Sequence, residues 1–412
     1  MSRNGRYKCR SCGAGKLSPL LSLGRTPLAN ALMSKDDLQR PAPRYALDLA
    51  LCTDCSLVQI LETVPPEDLF CEYLYFSSFS DAFLKHARQI TQKLIAGRGL
   101  GHESLVVEIA SNDGYLLQYF KENEIPVLGI EPAGNIAAVA REEKGIETLG
   151  EFFSRDLAQE LVQSGRRADV VIANNVLAHV PDLNGFVSGI SLLLKEDGAA
   201  WVEVPYLLDM VDHGEFDTIY HEHIFYFSVT ALSRLFGRHG LVIEAVEWMP
   251  LHGGSLAILL GKGQAGRPGE SAQQFIEREK KWGVTSPLSY QGFSKGVFEL
   301  KEELTSLLHK LGSDGKRVAA YGAAAKGTML LNVFDIGCEL VGFVVDRSPY
   351  KQGLYVPGTG QPILAPSALL AEKPDYLLVL AWNFAEEIMA QQQDYVRVGG
   401  RFIIPIPKLR VV

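Results

Sequence analysis

No apolar run in this chain approaches the roughly 18 residues that a membrane-spanning helix needs, so no span is expected. The N-terminal stretch MSRNGRYKCRSCG is charged and lacks the apolar segment of a signal peptide, which points to a cytoplasmic protein. Positive charge is in deficit. Forty lysines and arginines stand against 48 aspartates and glutamates, a net charge of −8, so no basic field gathers nucleic-acid phosphate. No low-complexity tract interrupts the chain. No G-x-G-x-x-G stands where a strand turns into a helix, which disfavours a dinucleotide cofactor. Cysteine is scarce, six in 412 residues, and in the expected compartment thiols or metal ligands are favoured over disulfides.

Four of those cysteines form two C-x-x-C pairs, Cys9 with Cys12 and Cys52 with Cys55. That spacing lets two thiolates from one tight turn meet one metal, and two such turns complete a tetrahedral Cys₄ zinc site. Four cysteines leave no open coordination position, so the zinc is expected to be structural, stapling a small N-terminal lobe.

Beyond the lobe, Phe83, Ala87, Ile90 and Leu94 recur at helical spacing. Apolar strands then alternate with helices: Leu105 to Ile109, a small-residue turn, a helix opening at Tyr115, and Val127 to Ile130. ADVVIANNVLAHV reads as strand, polar tip and helix, and GLVIEAVEWMP with GGSLAILLGK as a closing antiparallel pair. Residues 263–274 read as a linker, followed by a charged helix over about 291–311 and a second α/β block. The expected fold class is α/β: a zinc-binding lobe, a central Rossmann-like domain and a C-terminal Rossmann-like domain.

An open parallel sheet binds its ligand beyond the carboxyl ends of its strands. Here that place is EIASNDG, residues Glu108 to Gly114, with the acidic residues Glu108 and Asp113 around Ala110, Ser111 and Asn112. Carboxylates repel a pyrophosphate and suit a cationic ligand. S-adenosylmethionine, with its sulfonium and ammonium, fits and needs no phosphate cradle. Glu131, closing the second strand, is placed to accept ribose hydroxyls, and the third strand tip offers Asn174 and Asn175.

YHEHIFYFS, Tyr220 to Ser228, concentrates two histidines, a glutamate and two tyrosines. If extended, Tyr220 and Glu222 share one face and His221 and His223 the other. The spacing is not that of a helical zinc site, and a purely structural role would demand a partner for every buried polar group. General acid–base work accounts for it better, because histidine titrates near neutral pH and a carboxylate can orient it.

The pairs CxxC…CxxC, then EIxSNDGYLL, GIEP, NNVLAHV, YHEHIFYFS, HGGSL and YGAAAKGTMLLN, occur in this order. Together they resemble the S-adenosylmethionine-dependent C-methyltransferases that act on nucleotide-linked keto-deoxysugars. The resemblance runs from Cys9 into the C-terminal block. Ala110 stands where the family pattern has glycine, a mild change. The resemblance implies a zinc lobe over 1–75, a cofactor domain over 76–262 and a nucleotide-sugar domain over 275–412. It implies methylation at C3 of a 4-keto sugar, with His223 as base and Tyr220 and His179 stabilising the enolate or binding the sugar. Glu222 would position the base or the sugar, and Tyr75 would reach in from the lobe edge. His252, Lys326 and Asn332 would contact the substrate, Lys326 beside its diphosphate. Sugar O- or N-methylation and an NAD-dependent sugar oxidoreductase are the alternatives.

Overall fold

The structure is a computed structural model that describes residues 7–65, 77–79, 81–251, 253–263 and 267–412. Tyr75 and His252 lie outside the described residues.

The N-terminal lobe is an antiparallel meander of β1 (Leu17–Thr26), β2 (Tyr45–Cys52) and β3 (Val58–Ile60). Leu47, Leu49, Leu51 and Val58 are buried, a small core for so many loops. The Cys52–Cys55 turn joins β2 to β3, and Ser56 takes a positive φ of 66° to complete it.

Helix α1 (Asp81–Arg98) leads into the central sheet. Its strands are β4 (Val106–Ile109), β5 (Val127–Ile130), β6 (Thr148–Leu149), β7 (Ala168–Asn174) and β8 (Leu194–Pro205). After β9 (Phe225–Tyr226), the hairpin β10 (Leu241–Met249) and β11 (Ser255–Lys262) closes it. The order is β10-β11-β8-β7-β4-β5-β6, parallel from β8 to β6, with β11 antiparallel both to β8 and to β10, its partner in the expected closing pair at one edge. Alternate residues of the inner strands serve opposite faces. Val106, Val170 and Ile172 pack with Ala87, Ile90 and Leu94 of α1 and with Phe120 of α2 (Leu117–Glu122). Val107 and Val171 pack with Leu183, Phe186 and Ile190 of α3 (Leu183–Leu193). Helix α3 begins after an Asp182 cap, so the residues following Asn175 are a turn rather than the expected helix.

Strand β9 does not join the central sheet. It pairs antiparallel with β3, Val58 opposite Tyr226 and Gln59 opposite Phe225, so the zinc lobe captures the strand that follows YHEH. Helix α4 (Val229–Gly237) comes next, its first turn capped by Ser228 and by Glu279 from α5 (Glu270–Trp282). Helix α5 starts within the expected linker, because Glu279 and Ala272 find buried partners there. The charged helix α6 spans Gln291–Ser313.

The C-terminal sheet holds β12 (Val318–Tyr321), β13 (Val344–Val345), β14 (Ile363–Leu364), β15 (Tyr376–Val379), β16 (Arg401–Ile404) and β17 (Arg410–Val411). Its order is β14-β13-β12-β15-β16-β17, with α7 (Ala325–Val333) following β12. In both α/β sheets the first strand has neighbours on either side that leave in opposite directions, and a crevice opens at its carboxyl end. Among the described residues no helix is long and apolar enough to cross a membrane.

Candidate active site

Tyr220 to His223 form a turn, with the His223 amide donating to the Tyr220 carbonyl at 2.9 Å. The extended reading of this stretch is therefore corrected. The turn brings Tyr220 and His223 onto the same side, ring centroids 4.1 Å apart, and sends Glu222 and His221 elsewhere. His223 Nδ1 lies 2.9 Å from the Thr218 carbonyl, which can only accept, so Nδ1 carries the proton and Nε2 is the basic nitrogen. The Tyr220 hydroxyl donates to Nε2 at 2.8 Å. His179 packs edge-on against His223 at 4.8 Å, and burial pushes its imidazole down to about 4, which keeps it neutral. His221 is buried against the Tyr45 ring, a packing position. Glu222 is also buried, and that burial pushes its carboxyl up to about 7, with Asn30 pulling it back.

The turn's position follows from two strand ends. The Ile224 amide donates to Ala178 at 2.7 Å, tying it to the segment beyond β7. That segment begins with Asn174 and Asn175, so one short stretch joins the cofactor side to His179. Asn175 holds a φ of 53° and donates its amide to the Glu203 carbonyl of β8.

At the end of β4, Ala110 and Asn112 adopt φ of 55° and 50°, a left-handed path through the turn. Only Gly114, at 74°, is a glycine in this turn, and a Cβ there would lie 2.5 Å from Ile146. Glu131 accepts the Asn112 and Ala133 amides at 3.0 and 2.9 Å, so it shapes the turn. Among the described residues, Glu108 Oε2, both Asp113 carboxylate oxygens and the side-chain Oδ1 atoms of Asn174 and Asn175 are buried without a hydrogen-bond donor. Lys144 stands 3.5 Å from Asp113. Burial, then Asp113, Glu131 and Glu203, push the Glu108 carboxyl well up. Such a surplus of buried acceptors calls for a ligand rich in donors and positive charge. An ammonium, a sulfonium and ribose hydroxyls match it, and a pyrophosphate does not.

The Sγ atoms of Cys9, Cys12, Cys52 and Cys55 all lie within 4.8 Å of one another, with Cys9–Cys55 at 3.5 Å and Cys12–Cys52 at 3.6 Å. Four sulfurs about 2.3 Å from one zinc stand roughly 3.8 Å apart, so the set fits the ion. The knuckles are bolted to the central domain. Arg234 donates to the Asp54 carbonyl and Ser56, Arg238 to the Ser11 carbonyl, and Asn184 to the Arg10 carbonyl.

Three family profiles match in succession: "Putative zinc binding domain" over residues 9–70, "Methyltransferase domain" over 83–246 and "C-methyltransferase C-terminal domain" over 250–407. C-methyltransferase NovU of Streptomyces niveus is 34% identical over 406 residues, 98% of this chain and 96% of that one. The chain belongs to the C-methyltransferase family. Solved structures that resemble part of it include the magnesium protoporphyrin IX methyltransferase of Synechocystis PCC 6803 with S-adenosylhomocysteine. It is 16% identical, covering 44% of this chain and 83% of that one at a TM-score of 0.35. A Burkholderia thailandensis 1,6-didemethyltoxoflavin-N1-methyltransferase is 17% identical, covering 45% and 80%, at 0.33. Scores this low add nothing to the assignment.

The cofactors of this C-methyltransferase are S-adenosylmethionine and zinc. Several groups around its site carry no motif in the sequence. His86 of α1 bonds the buried Glu203 carboxylate at 2.9 and 3.0 Å, with Trp201 donating to the same group. Asn30 reaches Glu222 from the zinc lobe. Residues so far apart in the chain leave no spacing signal, although a lone asparagine in a TPLAN turn after a strand was visible.

In the C-terminal domain Lys326 stands in the first turn of α7, its ammonium 4.6 Å over the Trp382 ring and 3.9 Å from Glu215. Trp382 in turn donates to Asp217 at 2.7 Å. Lys326 thus faces two buried carboxylates of the segment preceding YHEH. Asn332 donates to the Thr328 and Pro357 carbonyls, holding the turn at Gly358.

Proposed function

We propose that this C-methyltransferase adds a methyl group to C3 of a nucleotide-linked 4-keto-deoxysugar through an enolate, within deoxysugar biosynthesis. The observation that carries the reading is the fixed tautomer of His223, with the Thr218 carbonyl on Nδ1 and a lone pair on Nε2. A carbon acceptor must lose a proton before it can attack, whereas a hydroxyl or amine need not. A histidine with a locked basic nitrogen is therefore the group the reaction calls for.

When bound, S-adenosylmethionine supplies an electrophilic methyl group. His223 Nε2 takes the proton alpha to the ketone, and the bonding electrons move onto the 4-keto oxygen. As Nε2 turns to the sugar, the Tyr220 O–H becomes available to that oxygen. Neutral His179, beside His223, offers a second polar contact without adding positive charge that would repel a protonated His223. Glu222, within the same turn, is assigned to positioning the base or the sugar. Residues 1–75 are assigned to the zinc lobe, 76–262 to the cofactor and 275–412 to the sugar nucleotide. The start of α7 and Lys326 are assigned to its diphosphate side, with Asn332 supporting the adjoining turn. A relative that is itself a C-methyltransferase favours carbon over oxygen or nitrogen as acceptor.

The test is the product. Incubation with dTDP- and GDP-linked 4-keto-6-deoxysugars and S-adenosylmethionine should give a new methyl singlet on a quaternary carbon. A methyl signal on oxygen or nitrogen would sink the reading.

A further inference from the structure

Glu222 is 4% exposed, yet among the described residues no cation forms an ion pair with it. What meets its carboxylate is the Asn30 side-chain amide, with Nδ2 at 2.8 Å from Oε1 and 3.0 Å from Oε2. Asn30 belongs to the loop that leaves β1 of the zinc lobe, far from Glu222 in sequence. We propose that Asn30 is a positioning residue of methyl transfer, an amide on the zinc lobe that holds the Glu222 carboxylate in the catalytic turn and is itself anchored to the C-terminal domain. The inference rests on the reading of YHEH as the catalytic turn.

The anchoring is explicit. The Asn30 loop closes on itself through Ala31 to Leu28 and Leu32 to Asn30 backbone bonds. It then makes a two-way bridge to the C-terminal domain: Met33 N donates to the Tyr355 carbonyl at 2.9 Å, and Tyr355 N to the Met33 carbonyl at 2.8 Å. Gly358 comes so close that a Cβ there would lie 2.9 Å from Pro27 Cγ. The amide is therefore held between the domain assigned to the nucleotide and the turn assigned to chemistry. A shift of the C-terminal domain would move the group on Glu222.

The physical effect has a sign. An N–H donor favours the ionised carboxylate, and Asn30 opposes the burial that raises Glu222. The other titratable groups near Glu222 are Tyr220 and His223 in its own turn and His179, whose ring meets the Glu222 backbone. The zinc lobe adds Tyr45, which faces His221.

The experiment compares wild type, Asn30→Ala, Asn30→Asp, Glu222→Gln and the double variant Asn30→Ala/Glu222→Gln. The Glu222 carboxyl is titrated by isotope-edited infrared spectroscopy in the S-adenosylhomocysteine complex, with Glu222→Gln identifying its band. Turnover is followed across pH with a 4-keto-6-deoxysugar nucleotide. Zinc content and thermal unfolding confirm that the lobe stays intact. Removing the donor should raise the Glu222 midpoint by about one pH unit, roughly a tenfold loss of the ionised form on the acidic side. Asn30→Asp should raise it further, because two carboxylates then share a proton. Asn30→Ala should cost nothing more once Glu222 is Gln. If Glu222→Gln is impaired but Asn30→Ala keeps the wild-type midpoint and turnover, or if the two losses add in full, Asn30 does not act through Glu222 and the proposal alone falls. If Glu222→Gln turns over like wild type, the catalytic reading of Glu222 falls and the role of Asn30 falls with it.

Discussion

Tyr220 and His223 face each other across one turn, the phenol oxygen 2.8 Å from Nε2, while Thr218 holds the far side of the imidazole. The pair leaves the ring one lone pair and one direction in which to use it. His223→Ala should therefore abolish methyl transfer and leave cofactor binding intact. It should also stop exchange of the C3 hydrogen with deuterated water when S-adenosylhomocysteine replaces the methyl donor. Loss of a general base costs about 10²–10⁴-fold. The wild-type rate should fall on the acidic side, where the imidazole is protonated. Wild-type exchange in the alanine variant would move the base to His179 or Tyr220.

Glu222 links protonation to stability. Its carboxyl is pushed up to about 7 in the folded protein by burial, against an ordinary value of 4.5. The folded state therefore binds more protons than the unfolded state between those values. Stability from this group is fully present below about 4.5 and is lost as pH rises through about 7. Glu222→Gln should flatten that part of the stability curve. Denaturant midpoints measured from pH 5 to 8, roughly spanning this window, check it, and parallel curves for the two proteins would count against a buried ionising Glu222.

The zinc pairs, the alternation of strands with helices, the closing antiparallel pair and the acidic turn at β4 were legible because each is local. A C-x-x-C turn, a strand ending in a small-residue turn and an antiparallel closing pair are written in contiguous residues. The faces of YHEH were not. The period-2 argument presumes an extended strand, and the His223-to-Tyr220 backbone bond makes it a turn. Asn30, His86 and Glu203 were invisible for a different reason. Their partners come from other domains or layers, and a single sequence carries no pairing information between them. The capture of β9 by the zinc lobe is of the same kind.

Cofactor affinity should depend on pH with a definite sign. Glu108 is raised well above the ordinary carboxylate range by burial and by neighbouring carboxylates, so the free protein holds its proton to higher pH than a solvated carboxylate does. A bound sulfonium and ammonium stabilise the ionised form, and binding should release protons. Affinity for S-adenosylmethionine should then rise with pH and level off once Glu108 is ionised. Calorimetry in buffers of different ionisation enthalpy measures the release. Glu131→Ala should weaken binding on the order of 1–3 kcal/mol, partly through the ribose and partly by freeing the Asn112 and Ala133 amides that shape the turn.

Zinc should reach the chemistry through one strand. The Cys52–Cys55 turn joins β2 to β3, β3 pairs with β9, and the Ile60 amide donates to Ile224, the residue after His223. One zinc per chain is expected by elemental analysis. Removing it leaves four cysteine side chains without the centre that ties the two turns together, in a lobe with a small core, so folding and metal binding are coupled there. Cys52→Ser, or chelation, should lower the unfolding temperature of the lobe first. It should also deprotect the Ile60 and Tyr226 region in hydrogen exchange and cut turnover. S-adenosylhomocysteine affinity should change little, because the cofactor turn hangs on β4, β5 and β7. A metal-free protein with wild-type exchange protection at β9 would show that the zinc lobe holds the turn without its ion.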